Sequence, residues 1–114
     1  MKNKIFLLAI LLCTACGLNK QYAIYQYDNG DDYVKDGTIR IVDMQSKKIG
    51  YATPDGKVLI EPQFSYGYPF ENGIAKVTYK GEQKVVDNSQ GEYHYWDSDD
   101  WFYIDKQGNK INQK

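Results

Sequence analysis

The sequence predicts an all-β domain made of short antiparallel hairpins. Short runs of β-branched and aromatic residues recur along the chain, and each is bounded by Gly, Asp, Asn or Pro, as is typical of strands joined by tight turns. No stretch after the first fifteen residues keeps the 3.6-residue period of an amphipathic helix. We therefore expect an antiparallel β-hairpin or meander fold, with a signal helix at the N-terminus as the only helix.

The predicted strands share β-branched or aromatic side chains and polar boundaries. They are residues 23–27, 38–42, 57–60, 74–79, 84–86 and 101–104. Pro62 and Pro69 should keep 63–70 out of a central strand, because proline has no amide hydrogen to donate to a neighbour. We expect the aromatic residues of that segment to lie across the sheet, with Phe70 buried.

The N-terminus has the pattern of an export signal. Two lysines precede an apolar run over 5–12, which is too short to cross a bilayer that needs roughly 20 residues. Thr14 and Ala15 precede Cys16 in a pattern that resembles the lipobox of bacterial lipoproteins, whose cysteine carries the lipid. Ordinary secretory cleavage after Ala15 is the alternative. The predicted organisation is a signal peptide over 1–15, a tether over 16–21 and one β domain over 22–114.

Lipidation at Cys16 would attach the protein to a membrane of the bacterial cell envelope through its N-terminal lipid. The residue after Cys16 is not Asp, which favours the outer over the inner membrane. Because Cys13 is removed and Cys16 is acylated, no disulfide is expected. The full chain has a net charge of −1, which argues against a nucleic-acid partner because phosphate backbones attract clustered positive charge.

An internal repeat is visible at two offsets. Asp36-Gly37 followed by Ile41-Val42-Asp43 matches Lys80-Gly81 followed by Val85-Val86-Asp87 at an offset of 44 residues. Tyr51 and Gly56 match Tyr103 and Gly108 at an offset of 52, so both glycines should occupy equivalent turns with positive φ. The difference predicts an eight-residue insertion in the second unit, within 88–100.

One stretch resembles a known repeat family. Lys48-Ile49-Gly50-Tyr51, the Pro62-Gln63-Phe64 step and the run from Phe70 to Val77 are similar to one WG repeat, and 101–108 is similar to the opening of another. The resemblance implies short β-hairpin units in surface or secreted bacterial proteins. It implies no shared catalytic residues.

Neither a metal site nor a catalytic motif is predicted. His94 is the only histidine, so a zinc site would lack a second nitrogen ligand. The Asp-rich segments 28–32 and 97–100 lack the twelve-residue spacing and distal Glu of a calcium loop. No nucleophile elbow or phosphate loop is present, and we expect a protein that is not an enzyme and carries no cofactor.

The insertion and the residue that follows it, Trp101, carry the candidate binding residues. Tyr93, Tyr95, Trp96 and Trp101 are aromatic residues among polar neighbours, as at many binding hot spots. The alternative is a hairpin that packs on the domain's own core. We expect a lipid-anchored, non-enzymatic binding module of the cell envelope. Its partner would be a glycan or peptide bound at the insertion, or an envelope protein on which it docks by strand addition as a structural or inhibitory lipoprotein.

Overall fold

The computed structural model describes residues 21–27, 30–87 and 94–112, and all regular structure in them is β. The strands form two four-stranded antiparallel sheets and two isolated hairpins, which confirms the predicted fold class. The expected signal helix and Cys16 lie outside the described residues. The strands are β1 (Tyr22–Ile24), β2 (Gln26–Tyr27), β3 (Gly30–Asp31), β4 (Ile39–Asp43), β5 (Ile49–Ala52), β6 (Val58–Phe64), β7 (Tyr66–Gly67), β8 (Ala75–Thr78), β9 (Glu82–Val85), β10 (His94–Asp97), β11 (Trp101–Ile104) and β12 (Lys110–Ile111).

The two large sheets have the same topology. The first has the strand order β1-β4-β5-β6, and the second has the order β7-β8-β11-β12 when read from its other edge. Ile39 pairs with Ala52 in the first sheet, and Ala75 pairs with Ile104 at the same place in the second. Each sheet is therefore one copy of a structural repeat.

Two pairs of turns match as well. Lys35–Thr38 and Glu71–Ile74 are both two-residue hairpins in which both central residues have positive φ, as in type I′ turns. Gly56 and Gly108 follow β5 and β11, and their φ values are 99° and 87°. Each donates its N–H to the carbonyl three residues earlier, at 2.9 Å. The predicted equivalence of these two glycines is confirmed.

The predicted 44-residue offset is wrong for the first half of the repeat. Strand pairing makes β8 the counterpart of β4, at an offset of 36, whereas the sequence match had paired β4 with β9. The offset of 52 between β5 and β11 exceeds 36 by 16 residues, so the extra chain of the second unit is longer than the predicted eight. It includes β9 and β10, which pair only with each other among the described strands.

Strand β6 leads directly into β7 and carries the chain from one sheet to the other. The pairing of β5 with β6 shifts register twice, and Pro62 lies within this irregular stretch of an edge strand. An edge strand tolerates proline because one side has no partner to receive an N–H. Pro62 is thus kept out of a central strand as predicted, although Gln63 and Phe64 continue β6.

The main core lies between the two sheets. Tyr51, Ile60 and Phe64 from the first sheet meet side chains of the second. Phe70 is fully buried, as predicted, and its ring lies 4.7 Å from that of Tyr51 in an edge-to-face contact. Strand β5 was not predicted as a strand, although all four of its residues are buried. The members contributed by the second sheet and the segment before it are Phe70, Ala75, Val77 and Ile104.

Candidate functional site

A groove lined by aromatic rings runs beside β7 and the two residues that follow it. It has three compartments, of about 330, 270 and 630 Å³, which we call the hairpin, central and outer compartments. Tyr66 lines the first two, while Tyr68 and Pro69 line the last two. The compartments therefore adjoin one another through shared side chains, and we call the three together the aromatic groove.

The β9–β10 hairpin forms one wall of the hairpin compartment. Gln83, His94 and Trp96 share one face of this hairpin and line the compartment, together with Tyr25 and other residues of the domain. The indole of Trp96 stacks on the ring of Tyr66 with centroids 5.7 Å apart and planes 9° from parallel. Its Nε1 donates to the carbonyl oxygen of Lys80 at 2.7 Å. This one side chain thus fixes the hairpin against the groove.

The base of the hairpin is held by short polar contacts. Thr78 Oγ1 lies 2.8 Å from Ser98 Oγ and donates to the carbonyl of Asp100 at 3.0 Å. Gly81 has a φ of 105°, and a Cβ there would lie 2.5 Å from Trp96 Nε1. Only glycine lets the backbone pass so close to the indole. The sequence therefore places a glycine where the hairpin leaves the sheet.

A buried ion pair lies below the central compartment. Arg40 on β4 and Asp32 are both 3% exposed, and Nη2 of the arginine lies 2.8 Å from Oδ1 of the aspartate. Arg40 Nε and backbone N–H also donate to Oδ2 of Asp32. Nη1 donates to the carbonyl of Gly67 at 3.0 Å. The guanidinium thus ties the first sheet to β7 of the second.

The rings around Arg40 shield this pair. Its Cζ lies 4.4 Å from the ring centroid of Tyr25 and 5.6 Å from that of Tyr27. Burial alone would lower the pKa of Arg40, but hydrogen bonds and charge from Asp32 outweigh it and raise the pKa. Burial also raises the pKa of Tyr25, so its hydroxyl stays protonated at neutral pH. Because Arg40 and Asp32 neutralise each other, they add no net charge to the central compartment, most of whose other lining residues are tyrosines.

The outer compartment is more polar. Lys35 and Glu71 form an exposed ion pair at 3.4 Å, and Lys76 places its Nζ 5.0 Å from the ring centroid of Trp101. Tyr68 and Tyr103 also line this compartment. Lys76 occupies on β8 the place that Arg40 occupies on β4. In the second sheet the cation is thus left partly open to solvent, and no described aspartate pairs with it as Asp32 pairs with Arg40.

The structure places the described candidate residues beside one another. Tyr95 is 47% exposed at the edge of the hairpin compartment, and Trp96 is half-buried on Tyr66. Trp101 packs edge-on against Tyr66 and at a tilt against Tyr68, at 6.4 and 5.4 Å. Tyr93 lies outside the described residues.

Most residues of the aromatic groove could not be predicted from the sequence. The rings of β2, β7 and the adjoining loops come from both repeat units, and only the packing of the two sheets brings them together. Tyr66 alone contacts four other rings. The sequence does carry one signal for these groove residues. Tyrosines are dense around 25–33 and 66–68, and the alternation of side chains between strand faces does not explain them. The missed ring residues are Tyr25, Tyr27, Tyr33, Tyr66 and Tyr68.

Comparison with known families gives one match. Residues 49–82 match the family model described as "WG containing repeat". The match confirms the predicted WG-repeat resemblance over the strands β5 to β8. No curated protein and no solved structure matches the chain. The WG-like segment contributes Tyr66, Tyr68 and Pro69 to the groove.

In the ranges 21–27, 30–87 and 94–112, no group of three or more His, Cys, Asp or Glu side chains is placed to hold a metal ion. Over the same ranges, no helix is long and apolar enough to cross a membrane.

Proposed function

We propose that this protein is an exported, lipid-anchored module that binds a glycan chain in the aromatic groove without chemically changing it. The observation that carries the proposal is the groove itself, in which tyrosine and tryptophan rings line three adjoining compartments. Aromatic rings accept the C–H faces of sugar rings, while hydroxyl and amide groups between them bind sugar hydroxyls. A groove of several compartments suits a chain of several sugar units.

The edges of the sheets support a glycan over a protein partner that docks by strand addition. The carbonyl of Gly67 on β7, next to the groove, already accepts a hydrogen bond from Arg40. In the two four-stranded sheets, the edge strands β1, β7 and β12 have three residues or fewer, and β6 contains Pro62. Short edges and proline are the usual protection against strand addition. Docking by strand addition is thus the less supported alternative.

The binding proposal can be tested with the protein's own fluorescence. The chain has only two tryptophans, and Trp96 lines the groove while Trp101 packs on its rings. Titration with a set of hexasaccharides, neutral and uronate-containing, should change tryptophan emission with at least one of them. Tyr33→Ala should weaken that binding, because Tyr33 is an exposed ring of the central compartment.

Tyr79→Ala is the matched control. Tyr79 is also an exposed tyrosine, but it packs on Phe64 and Phe102 and lines none of the three compartments. Equal weakening by both substitutions, or no response to any hexasaccharide, would rule out the groove as a glycan site.

The membrane anchor is a separate part of the proposal and rests on the sequence around Cys16. Each buried CH₂ of an acyl chain contributes about 0.8 kcal/mol, so two or more chains anchor a domain stably. Cys16→Ser should move the protein from the membrane fraction to the soluble fraction. An intact mass showing an unmodified N-terminus at Cys16 in the native protein would contradict lipidation.

A further inference from the structure

We infer that the glycan is acidic, and that the carboxylates of uronic acid units are recognised by lysines spaced along the aromatic groove. This inference rests on the proposed function, since it specifies the ligand of the same groove. It is carried by two observations that the binding proposal does not use: the charge of the groove lining and the backbone conformation of one lysine.

The lining of the groove is basic on a protein that is acidic overall. It contains four cations and two carboxylates, whereas the whole chain has a net charge of −1. Asp32 neutralises Arg40 below the central compartment, and Glu71 is paired with Lys35 at the outer end. Lys47 and Lys76 remain, one in the hairpin compartment and one in the outer compartment. A chain lying in the groove would meet a cation near each end.

The backbone of Lys47 has an unfavourable conformation at its position beside the hairpin compartment. Its φ is 65°, in the left-handed region that non-glycine residues rarely adopt. Within the described ranges, the two other non-glycine residues with positive φ are Asp36 and Asn72, whose side chains tolerate that region. Asparagine or glycine would fit the turn between β4 and β5 at lower cost. Strain of this kind is often retained at functional positions, and here it positions a lysine beside the groove.

An acidic peptide would match the charge of the groove, but it would fit the groove less well than a glycan. An extended peptide gains affinity by pairing its backbone with a strand edge, and the Gly67 carbonyl at this edge is occupied by Arg40. A uronic acid chain needs no such pairing, because its ring faces pack on tyrosines and its carboxylates point to lysines. We therefore assign the groove to the glycan and treat the peptide as an outcome of the test.

The test compares hexagalacturonate with its methyl ester, which has the same rings without the charge, and with hexaglutamate. Binding to the mature full-length chain is measured by tryptophan fluorescence at low and high salt. We expect the acid to bind more tightly than its ester, and the difference to shrink as salt screens exposed charges. Equal binding of acid and ester would overturn the acidic ligand but leave the glycan groove standing. No binding of any hexasaccharide would overturn both, and tighter binding of hexaglutamate would replace the glycan with a peptide.

Lys47→Asn is the decisive variant. It should weaken hexagalacturonate binding about fivefold, which is the effect of one exposed charge at close range. Binding of the ester should not change. The melting temperature should stay the same or rise, because asparagine tolerates the left-handed conformation. Lys57→Asn is the control, since Lys57 is an exposed turn lysine outside the groove, and it should leave binding unchanged. A Lys47→Asn protein that melts lower and binds as before would show that Lys47 is structural and overturn its assigned role.

Discussion

Tyr66 shows how much of this molecule depends on individual rings. It contacts Tyr25 between β1 and β2, Tyr68 after β7, Trp96 of the β9–β10 hairpin and Trp101 of β11. Nothing in the local sequence distinguishes it from the chain's ten other tyrosines. The burial of Phe70 could be predicted because it belongs to a local, family-like pattern. The contacts of Tyr66 could not, because they form between segments far apart in the sequence.

The turn glycines are a residue-scale test of the repeat. We expect Gly56→Ala and Gly108→Ala each to lower the free energy of unfolding by about 1–2 kcal/mol, because both positions have positive φ and a Cβ is strained there. Gly30→Ala is the control, since Gly30 does not have positive φ and a Cβ would meet no atom within 4 Å. Chemical denaturation measures all three. A loss at Gly30 equal to that at Gly56 would contradict the conformational explanation.

The buried ion pair gives a second prediction at this scale. Arg40→Met leaves the Asp32 carboxylate buried without its charge partner, and such changes cost about 3–5 kcal/mol. The double variant Arg40→Met/Asp32→Asn should recover part of this loss, because it removes the orphan charge and keeps an oxygen for the backbone N–H of residue 40. Thermal and urea unfolding measure the free energy of unfolding of both variants. A double variant no more stable than the single one would show that the charge itself is not the cause.

Among the elements, the two type I′ turns are joined by one carboxylate. Asp36 in the first turn accepts the N–H of Gly73 in the second at 2.8 Å and pairs with Lys106 at 3.4 Å. The hydrogen bond from Gly73 is the largest of the effects that lower the pKa of Asp36. The contact therefore links the two repeat units at their turns.

This contact predicts a pH dependence. Because the pKa of Asp36 is lower in the folded state, its stabilising contribution is present in full above the ordinary aspartate pKa of 3.8 and is lost as the pH falls through the lowered pKa. Asp36→Asn should therefore reduce stability at neutral pH, and the gap from the native protein should narrow in acid. Melting curves from pH 7 down to pH 2 measure this. A gap that stays constant over that range would rule out ionisation of Asp36 as its source.

Strands could be predicted where β-branched and aromatic residues form a local pattern between turns. They were missed where this pattern is absent. Strands β4, β8 and β11 were expected because their β-branched and aromatic residues stand between polar turns. Strand β5 was missed because Ile49-Gly50-Tyr51-Ala52 contains a glycine and an alanine, residues that are depleted in strands. Strand β10 lies in the segment where the sequence predicts an aromatic insertion, and its pairing with β9 cannot be read locally because a long connection separates the two strands.

At the scale of the whole molecule, the family match and the sheets have different boundaries. The matched segment 49–82 supplies β5 and β6 to one sheet and β7 and β8 to the other. Each sheet is completed by strands from outside that segment, namely β1 and β4 on one side and β11 and β12 on the other.

We therefore predict that a peptide of residues 49–82 does not fold alone. It lacks the partners β4 and β11 and would expose side chains of the main core such as Tyr51, Phe64 and Val77. Circular dichroism and amide exchange should show an unfolded peptide, whereas residues 21–112 should unfold in one cooperative transition. A folded 49–82 peptide would contradict the shared construction of the two sheets.

The passage of β6 into β7 also bears on how such a chain could lengthen. The last strand of one sheet continues into the first strand of the next, so successive repeat units are joined without a separate linker. Duplicating a stretch of the length of 49–82 would close the sheet before it and open the sheet after it, so the new copy would need no junction of its own. Each added copy would bring its own equivalents of Tyr66 and Tyr68 to the crossing between two sheets, and the row of aromatic rings would lengthen with the number of repeats.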